Sequence, residues 1–276
     1  MSNITVSPDD CTRCGGVCVK ICPVSIISMK EDKLPKIAKD LEDKCIKCGH
    51  CENFCLFNAL KTNFEGDYPL SMNERAADIK PEQLAKFVQT RRSIRHYRKK
   101  PLNRKLIEQM LDVIRYSPTA ANSQKVKWIV VHDPEKVQEI AALTVDWMKT
   151  EVEKRPNHPY SLQYNGIIRR WGDWARMRSV ITHPTSLSPQ YRKGAPGQRP
   201  TPIIALAYFE LVAKGYGIAS CWNGFLKIAM EEFAPMREEM EIPEGYMPSY
   251  ALTFGYPKQR STGGAPKRDP LSIKWV

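Results

Sequence analysis

From residue 81 onward, the apolar positions alternate between helical and extended spacing. Leu84, Phe87 and Val88 recur at helical spacing after Pro81, a residue suited to a first helical turn, and predict a helix that buries these three. That helix runs straight into Arg91-Arg92-Ser93-Ile94-Arg95. Leu106, Ile107, Met110, Leu111 and Ile114 predict a second amphipathic helix, with Asn103 as its N-cap and Pro118 beyond its end. WIVVH, residues 128–132, reads as a buried strand, and Asp133-Pro134 opens the helix after it. Farther on, Thr201 as N-cap, Pro202 at the first helical position and Gly215 at the exit frame a segment that is apolar almost all round. Such a helix belongs in the centre of a fold. GIASCW (217–222) and SYALTF (249–254) read as strands, and no Gly-rich dinucleotide fingerprint follows any strand, so a Rossmann nicotinamide site is unsupported.

Residues 1–62 break this rhythm. They hold eight of the nine cysteines, and only Cys221 lies elsewhere. Residues 63–80, with Gly66, Pro69 and no apolar period, read as a linker between that module and a larger domain over 81–276. Within the larger domain, residues 146–200 interleave Trp147, Tyr160, Tyr164, Trp171, Trp174 and Tyr191 with Arg169, Arg170, Arg176 and Arg178. This stretch is expected to be a lid over an active site, an arm on a partner subunit, or both. Charge divides along the same boundary. Residues 1–70 carry 9 Lys+Arg against 10 Asp+Glu, and residues 71–276 carry 33 against 20. The basic excess fits an anionic cofactor, an acidic protein partner or nucleic acid. No apolar run approaches the roughly 20 residues of a membrane span. The opening MSNITVSPDD lacks the basic head and apolar stretch of a signal peptide. The expected compartment is therefore the cytoplasm, where thiols stay reduced and a disulfide framework is not anticipated.

The cysteines read Cys11-x2-Cys14-x3-Cys18-x3-Cys22-Pro23 and Cys45-x2-Cys48-x2-Cys51-x3-Cys55. Eight thiolates could make two four-cysteine zinc sites, but zinc ribbons separate two C-x2-C knuckles by a longer loop, whereas these runs are compact. The pattern closely resembles bacterial two-cluster ferredoxins, in which the fourth cysteine of each run ligates the other cluster. The resemblance implies one [4Fe–4S] cluster on Cys11, Cys14, Cys18 and Cys55, and a second on Cys45, Cys48, Cys51 and Cys22. Two departures stand out: an extra residue within Gly15-Gly16-Val17, which paired glycines can absorb, and Leu56 in place of the usual proline.

Arg91 through Lys105 holds eight basic residues and no acid. Alone, that run could be a solvated face. Arg91-Arg92-Ser93-Ile94-Arg95-His96-Tyr97 at a helix exit, however, resembles the opening motif of the FMN-dependent nitroreductase family. Three more stretches agree in order: residues 117–124 (SPTAANSQ), residues 217–225 (GIASCWNGF), and Gly255-Tyr256-Pro257 followed by Pro266-Lys267-Arg268. The resemblance implies that Arg91, Arg92, Ser93, Arg95, Lys267 and Arg268 hold the FMN phosphate, whose charge calls for guanidinium, ammonium and hydroxyl donors. It also implies that Pro118, Thr119 and Asn122 lie beside the isoalloxazine, and that Trp222-Asn223-Gly224 bring a backbone N–H near flavin N5. No side chain stands out as an obligatory catalytic acid. Cys221 reads as a core residue.

The expected fold class is α+β: a small ferredoxin-like two-cluster domain, then an α-β-α nitroreductase-like FMN domain with a mixed sheet flanked by helices. The expected function is an FMN oxidoreductase passing electrons from two [4Fe–4S] clusters through FMN to a nitroaromatic, quinone or activated alkene. The donor is a low-potential ferredoxin or flavodoxin, or NAD(P)H, and the family implies a homodimer. An electron carrier or redox sensor with a non-catalytic flavin is the alternative. A basic iron–sulfur protein that binds nucleic acid would leave the ordered FMN motifs unexplained, and no membrane partner is expected.

Overall fold

A computed structural model describes residues 2–30, 33–66, 79–176, 185–192, 200–259, 261 and 263–276. The chain divides into a unit of Met1–Asp78 with Ala121–Ser123, and a unit of Ile79–Ala120 with Gln124–Val276. Most of the expected linker, residues 67–78, lies outside the described residues.

The first unit runs β1 (Ile4–Val6), α1 (Val17–Ile21), β2 (Ile27–Ser28), β3 (Lys36–Ile37), a 3-10 turn over Lys39–Lys44, α2 (His50–Asn53) and β4 (Leu60–Thr62). β1 pairs antiparallel with β4, and β2 with β3. Ile4, Ile26, Ile27, Ile37 and Leu60 are buried and pack against Cys18, Cys22, Cys45, Cys51 and Cys55. Each such isoleucine contributes roughly 1.5–3 kcal/mol by leaving water. Gly16 and Gly49 precede the two helices with φ of 71° and 72°, a left-handed conformation that glycine adopts without strain. The buried Glu52 carboxylate ties α2 to β4, accepting from Thr62 N (2.9 Å) and Thr62 Oγ1 (2.6 Å) and pairing with Lys61 (3.4 Å).

The second unit runs α3 (Pro81–Gln89), α4 (Arg104–Ile114), β5 (Lys127–Val131), α5 (Pro134–Lys154), α6 (Pro159–Arg176), β6 (Thr185–Arg192), α7 (Thr201–Gly215), β7 (Ala219–Trp222), α8 (Gly224–Glu232), α9 (Ala234–Glu239), β8 (Tyr246–Pro248) and β9 (Leu252–Gly255). The strands form one sheet in the order β5-β6-β9-β7, with β8 also on β6. Its ladders are antiparallel, and parallel pairing enters at an isolated bridge between Ser93 and Ser220. β5 shows why the sheet is covered on both faces. Trp128 and Val130 pack into a core with Met110, Leu206, Phe209 and Phe254, while Ile129 and Val131 pack into another with Val137, Met148, Leu226 and Met230. Alternation along a strand sends successive side chains to opposite faces. α4 and α7 therefore lie on one face and α5, α8 and α9 on the other.

α3 forms as expected but does not bury its apolar set, since Leu84 and Val88 are exposed. Several boundaries also differ from the sequence expectations. α7 starts at Thr201, because Pro200 is already in the right-handed helical region and takes the cap position. The expected 217–222 strand is shortened to β7 because Gly217 turns with a φ of 73°. The 249–254 strand begins at Leu252; Ala251 lies outside the ladder and its carbonyl accepts instead from Asn223 N at 2.9 Å. β5 ends at Val131, and His132 Nε2 lies 2.5 Å from the Leu102 carbonyl oxygen. Asn103 and Asp133 cap α4 and α5 as expected, each through its side-chain oxygen. Of the 146–200 stretch, residues 177–184 and 193–199, Arg178 among them, lie outside the described residues, as do the side chains of Trp174, Arg176 and Tyr191. Among the described residues, no helix is long and apolar enough to cross a membrane.

Candidate functional site

In the first unit the cysteines sort into two cavities. One is lined by Cys11, Cys14, Cys18 and Cys55, with Val6, Val17 and Leu60. The other is lined by Cys22, Cys45, Cys48 and Cys51, with Ile4, Ile26 and Ile37. The fourth cysteine of each run thus sits with the other run. All eight are free thiols. Burial pushes the Cys51 thiol up to about 11 against the weaker effect of a backbone hydrogen bond, and the neighbouring Cys48 and Cys45 raise it further. Burial likewise raises Cys18. Such thiols give up their protons only to a strongly bound cation. Among the described residues, no group of three or more His, Cys, Asp or Glu side chains is placed to hold a metal ion as the chain stands.

In the second unit, the chain leaves α3 and runs extended past the end of β7. Ile94 N donates to Ser220 O (3.0 Å), Arg98 N to Tyr256 O (2.8 Å), and Lys258 N to His96 O (2.9 Å). These bonds bring together three of the four stretches singled out in the sequence, namely 91–97, 217–225 and 255–257. A cavity of 370 Å³ opens there, lined by Arg91, Arg92, Glu210, Lys214, Ser220, Ser261 and others. Arg91 Nη1 donates to Glu210 Oε1 (3.0 Å) and lies 3.4 Å from Ser93 Oγ. Lys214 Nζ donates to Thr90 Oγ1 (2.7 Å) and to the Phe87 carbonyl at the end of α3. Partial burial, then the charge of Arg91, holds Lys214 below its usual value. Arg91, Arg92 and Lys214 thus put three cations at one mouth, with Arg91 paired to Glu210 among the described residues, an arrangement able to attract an anion.

A larger cavity of 640 Å³ is lined by Arg95, Cys221, Trp222, Asn223 and Gly224 on one side and by Trp147, Glu151, Arg155, Tyr160, Tyr164 and Phe225 on the other. β7 carries both linings, with Ala219 and Ser220 at the basic mouth and Cys221 and Trp222 here. The Asn223 side chain accepts from Leu226 N (3.1 Å), capping α8 and fixing the turn. A Cβ on Gly224 would meet the Tyr250 hydroxyl at 3.2 Å, so this backbone is close-packed on one side. Tyr164 makes edge contacts with Phe225 at 5.8 Å and packs on Trp147 at 5.4 Å. The Trp147 indole N–H is buried without a hydrogen-bond partner among the described residues. Burial raises Cys221, and Arg95 offsets this only in part, which keeps it a protonated thiol in the core.

Not every expected residue joins these cavities. Ser93, Pro118, Thr119, Asn122, Lys267 and Arg268 line neither of them, and Arg95 lines the aromatic cavity, not the basic mouth. Ala121–Ser123 group with the first unit, where the Asn122 amide donates to the carbonyl oxygens of Ile46 (3.0 Å) and Lys47 (2.9 Å). Arg268 is exposed, and Nη1 reaches the Lys267 carbonyl at 3.5 Å. Sequence reasoning missed Glu210, Glu151 and Arg155. The first was legible as the lone acid of an apolar helix, and the other two as an i, i+4 acid–base pair.

The nitroreductase family profile matches residues 88–256, and a 4Fe-4S dicluster domain profile matches residues 10–59. An Archaeoglobus fulgidus protein provisionally named NADH dehydrogenase/NAD(P)H nitroreductase is 25% identical over 187 residues, spanning 64% of this chain and 87% of that protein. Among solved structures, the chain is similar to a nitroreductase with bound FMN from Desulfitobacterium hafniense DCB-2, with a TM-score of 0.56 at 19% identity over 72% of this chain and 100% of that one. It is also similar to a nitroreductase with bound FMN from Bacteroides fragilis NCTC 9343, with a TM-score of 0.51 at 17% identity over 70% of this chain and 98% of that one. These structural likenesses are in fold.

Proposed function

The chain belongs to the nitroreductase family and carries a 4Fe-4S dicluster domain ahead of it, and on that premise we propose an FMN-dependent reductase fed by two [4Fe–4S] clusters. The observation that carries the reading is the pairing of residues 94–98 with Ser220, Tyr256 and Lys258, which sets a basic mouth and an aromatic cavity along one strand. When bound, the clusters store single electrons and FMN gathers them into a pair for an acceptor such as a nitroaromatic, a quinone or an activated alkene.

The chain's own residues supply binding and placement. Arg91 and Arg92 hold the phosphate end through charge-assisted bonds, and Ser93, Arg95, Lys267 and Arg268 are assigned to it by family order. Trp222, Asn223 and Gly224 offer main chain to the ring edge. Pro118, Thr119 and Asn122 are assigned to the ring by the same order. Trp147, Tyr164 and Phe225 exclude water from the acceptor side. Cys11, Cys14, Cys18 and Cys55 hold one cluster, and Cys22, Cys45, Cys48 and Cys51 the other. The assembly is a homodimer in the cytoplasm, where the thiols stay reduced. α7 leaves Ile203, Ile204 and Tyr208 exposed for that contact.

Cofactor extraction tests the reading. About eight irons and one FMN per chain are expected from two cubanes and one flavin site. Reduced donors screened against the three acceptor classes should then give turnover. A colourless chain holding zinc ends the cluster assignment, and cofactors that cycle without turnover favour an electron carrier.

A further inference from the structure

We infer that Glu210 is a positioning residue that holds the two ends of the flavin site at one spacing: one carboxylate oxygen fixes the Arg91 guanidinium at the basic mouth and the other fixes the Trp222 indole beside Asn223 and Gly224. The inference rests on the FMN reading above. Oε1 accepts from Arg91 Nη1 at 3.0 Å and Oε2 accepts from Trp222 Nε1 at 3.0 Å. Glu210 is the lone acid in the apolar α7 and is 8% exposed. A buried carboxylate is costly unless its oxygens are bonded, and here each has its own partner.

The division of labour between the oxygens separates positioning from charge balance. A carboxylate that only neutralised Arg91 would have no use for an uncharged indole, and it would weaken the attraction for a phosphate. Spanning both partners does something else. With one N–H on Glu210 and a long contact to Ser93, the guanidinium fork is fixed in plane and keeps its other N–H donors for an anion. The indole, held at its N–H by Glu210, meets the Tyr250 ring edge-on at 5.0 Å and cannot swing away from the Asn223 turn. Because α7 is packed through Leu206, Phe209 and Ala213, which are fully buried, the carboxylate is a rigid reference for both.

The test uses the full-length chain, stripped of flavin and titrated with FMN. Glu210→Gln keeps the volume but has one acceptor oxygen and presents an NH2 to the second donor. It should raise the FMN Kd about tenfold or more, with iron content unchanged. In an Arg91→Ala/Trp222→Phe background, the same substitution should change Kd less than about twofold, since its partners are gone. The Trp222 indole N–H resonance, identified by its loss in Trp222→Phe, should move in flavin-free Glu210→Gln. An unchanged Kd in Glu210→Gln, an unmoved indole resonance, or a full effect surviving in the double background overturns the positioning role while FMN binding by the parent chain stands. A parent chain that binds no FMN overturns the flavin reading itself, and the inference with it.

Discussion

Arg91 presents five N–H donors and Glu210 uses one of them, which leaves most of the fork for an anion. Arg91→Ala should therefore cost about 1.5–3 kcal/mol of FMN affinity, read as flavin lost on gel filtration while iron is retained. Arg268→Ala tests the family assignment separately: flavin occupancy equal to that of the parent would remove Arg268 from the phosphate site. Gly224 offers a cleaner geometric test. Adding a Cβ there meets the Tyr250 hydroxyl at 3.2 Å, and the next atom, Tyr250 Cζ, is at 4.0 Å. Overpacking by about 1–3 kcal/mol opposes a helix-propensity gain of about 1 kcal/mol in Gly224→Ala, so the substitution should be more favourable in a Tyr250→Phe chain than in the parent, read in thermal melts. Among the cysteines, Cys22→Ser should damage the cluster of the second run and Cys55→Ser that of the first. Loss confined to the same run would contradict the crossed cavity linings. At this scale the cysteines and Arg91 were legible, because spacing and charge survive in one dimension. Glu210 stood out as a lone acid but its pairing did not, because its partner Arg91 lies 119 positions away.

The last turn of α5 carries a pH-sensitive contact. Burial alone would raise the Glu151 carboxyl, but hydrogen bonds from Arg155 and Lys154 outweigh it and hold Glu151 below its ordinary value of 4.5. A depressed folded value means the pairs stabilise fully above the unfolded value and are lost as acid protonates the folded carboxyl. The melting temperature of the parent should therefore fall more steeply below about pH 4.5 than that of Glu151→Gln. Parallel slopes would show that the pairs contribute nothing. Element types were readable wherever a period was strong, as in α4, α5 and α7, with their caps at Asn103 and Asp133. Short elements such as α9 and β8 were not, since six and three residues carry too little period to stand out.

At the scale of the whole molecule, the proposed relay is tested through its electron donor. A flavin that takes hydride from a nicotinamide needs no iron–sulfur relay, whereas one-electron carriers ahead of the flavin suit a one-electron protein donor. The excess of 33 basic over 20 acidic residues in 71–276 would steer an acidic ferredoxin or flavodoxin. Reduced ferredoxin should outperform NADH and NADPH, its rate should fall as salt rises, and truncation before residue 71 should remove the preference. Equal NADPH rates with and without clusters would end the relay. The sequence by itself determined the two chemistries and their order along the chain. Cluster ligands cluster in short loops, and the basic motif and the central helix each announce themselves locally through charge and apolar period. Only the tertiary structure decided which parts meet: that Ser93 and Ile94 lie along Ser220, that Tyr97 and Arg98 lie along Tyr256 and Pro257, and that Trp147 and Tyr164 face the Asn223 turn across one cavity. Those contacts depend on how the strands register and how the helices cover each face, and pairings between distant segments leave no periodic trace in the chain.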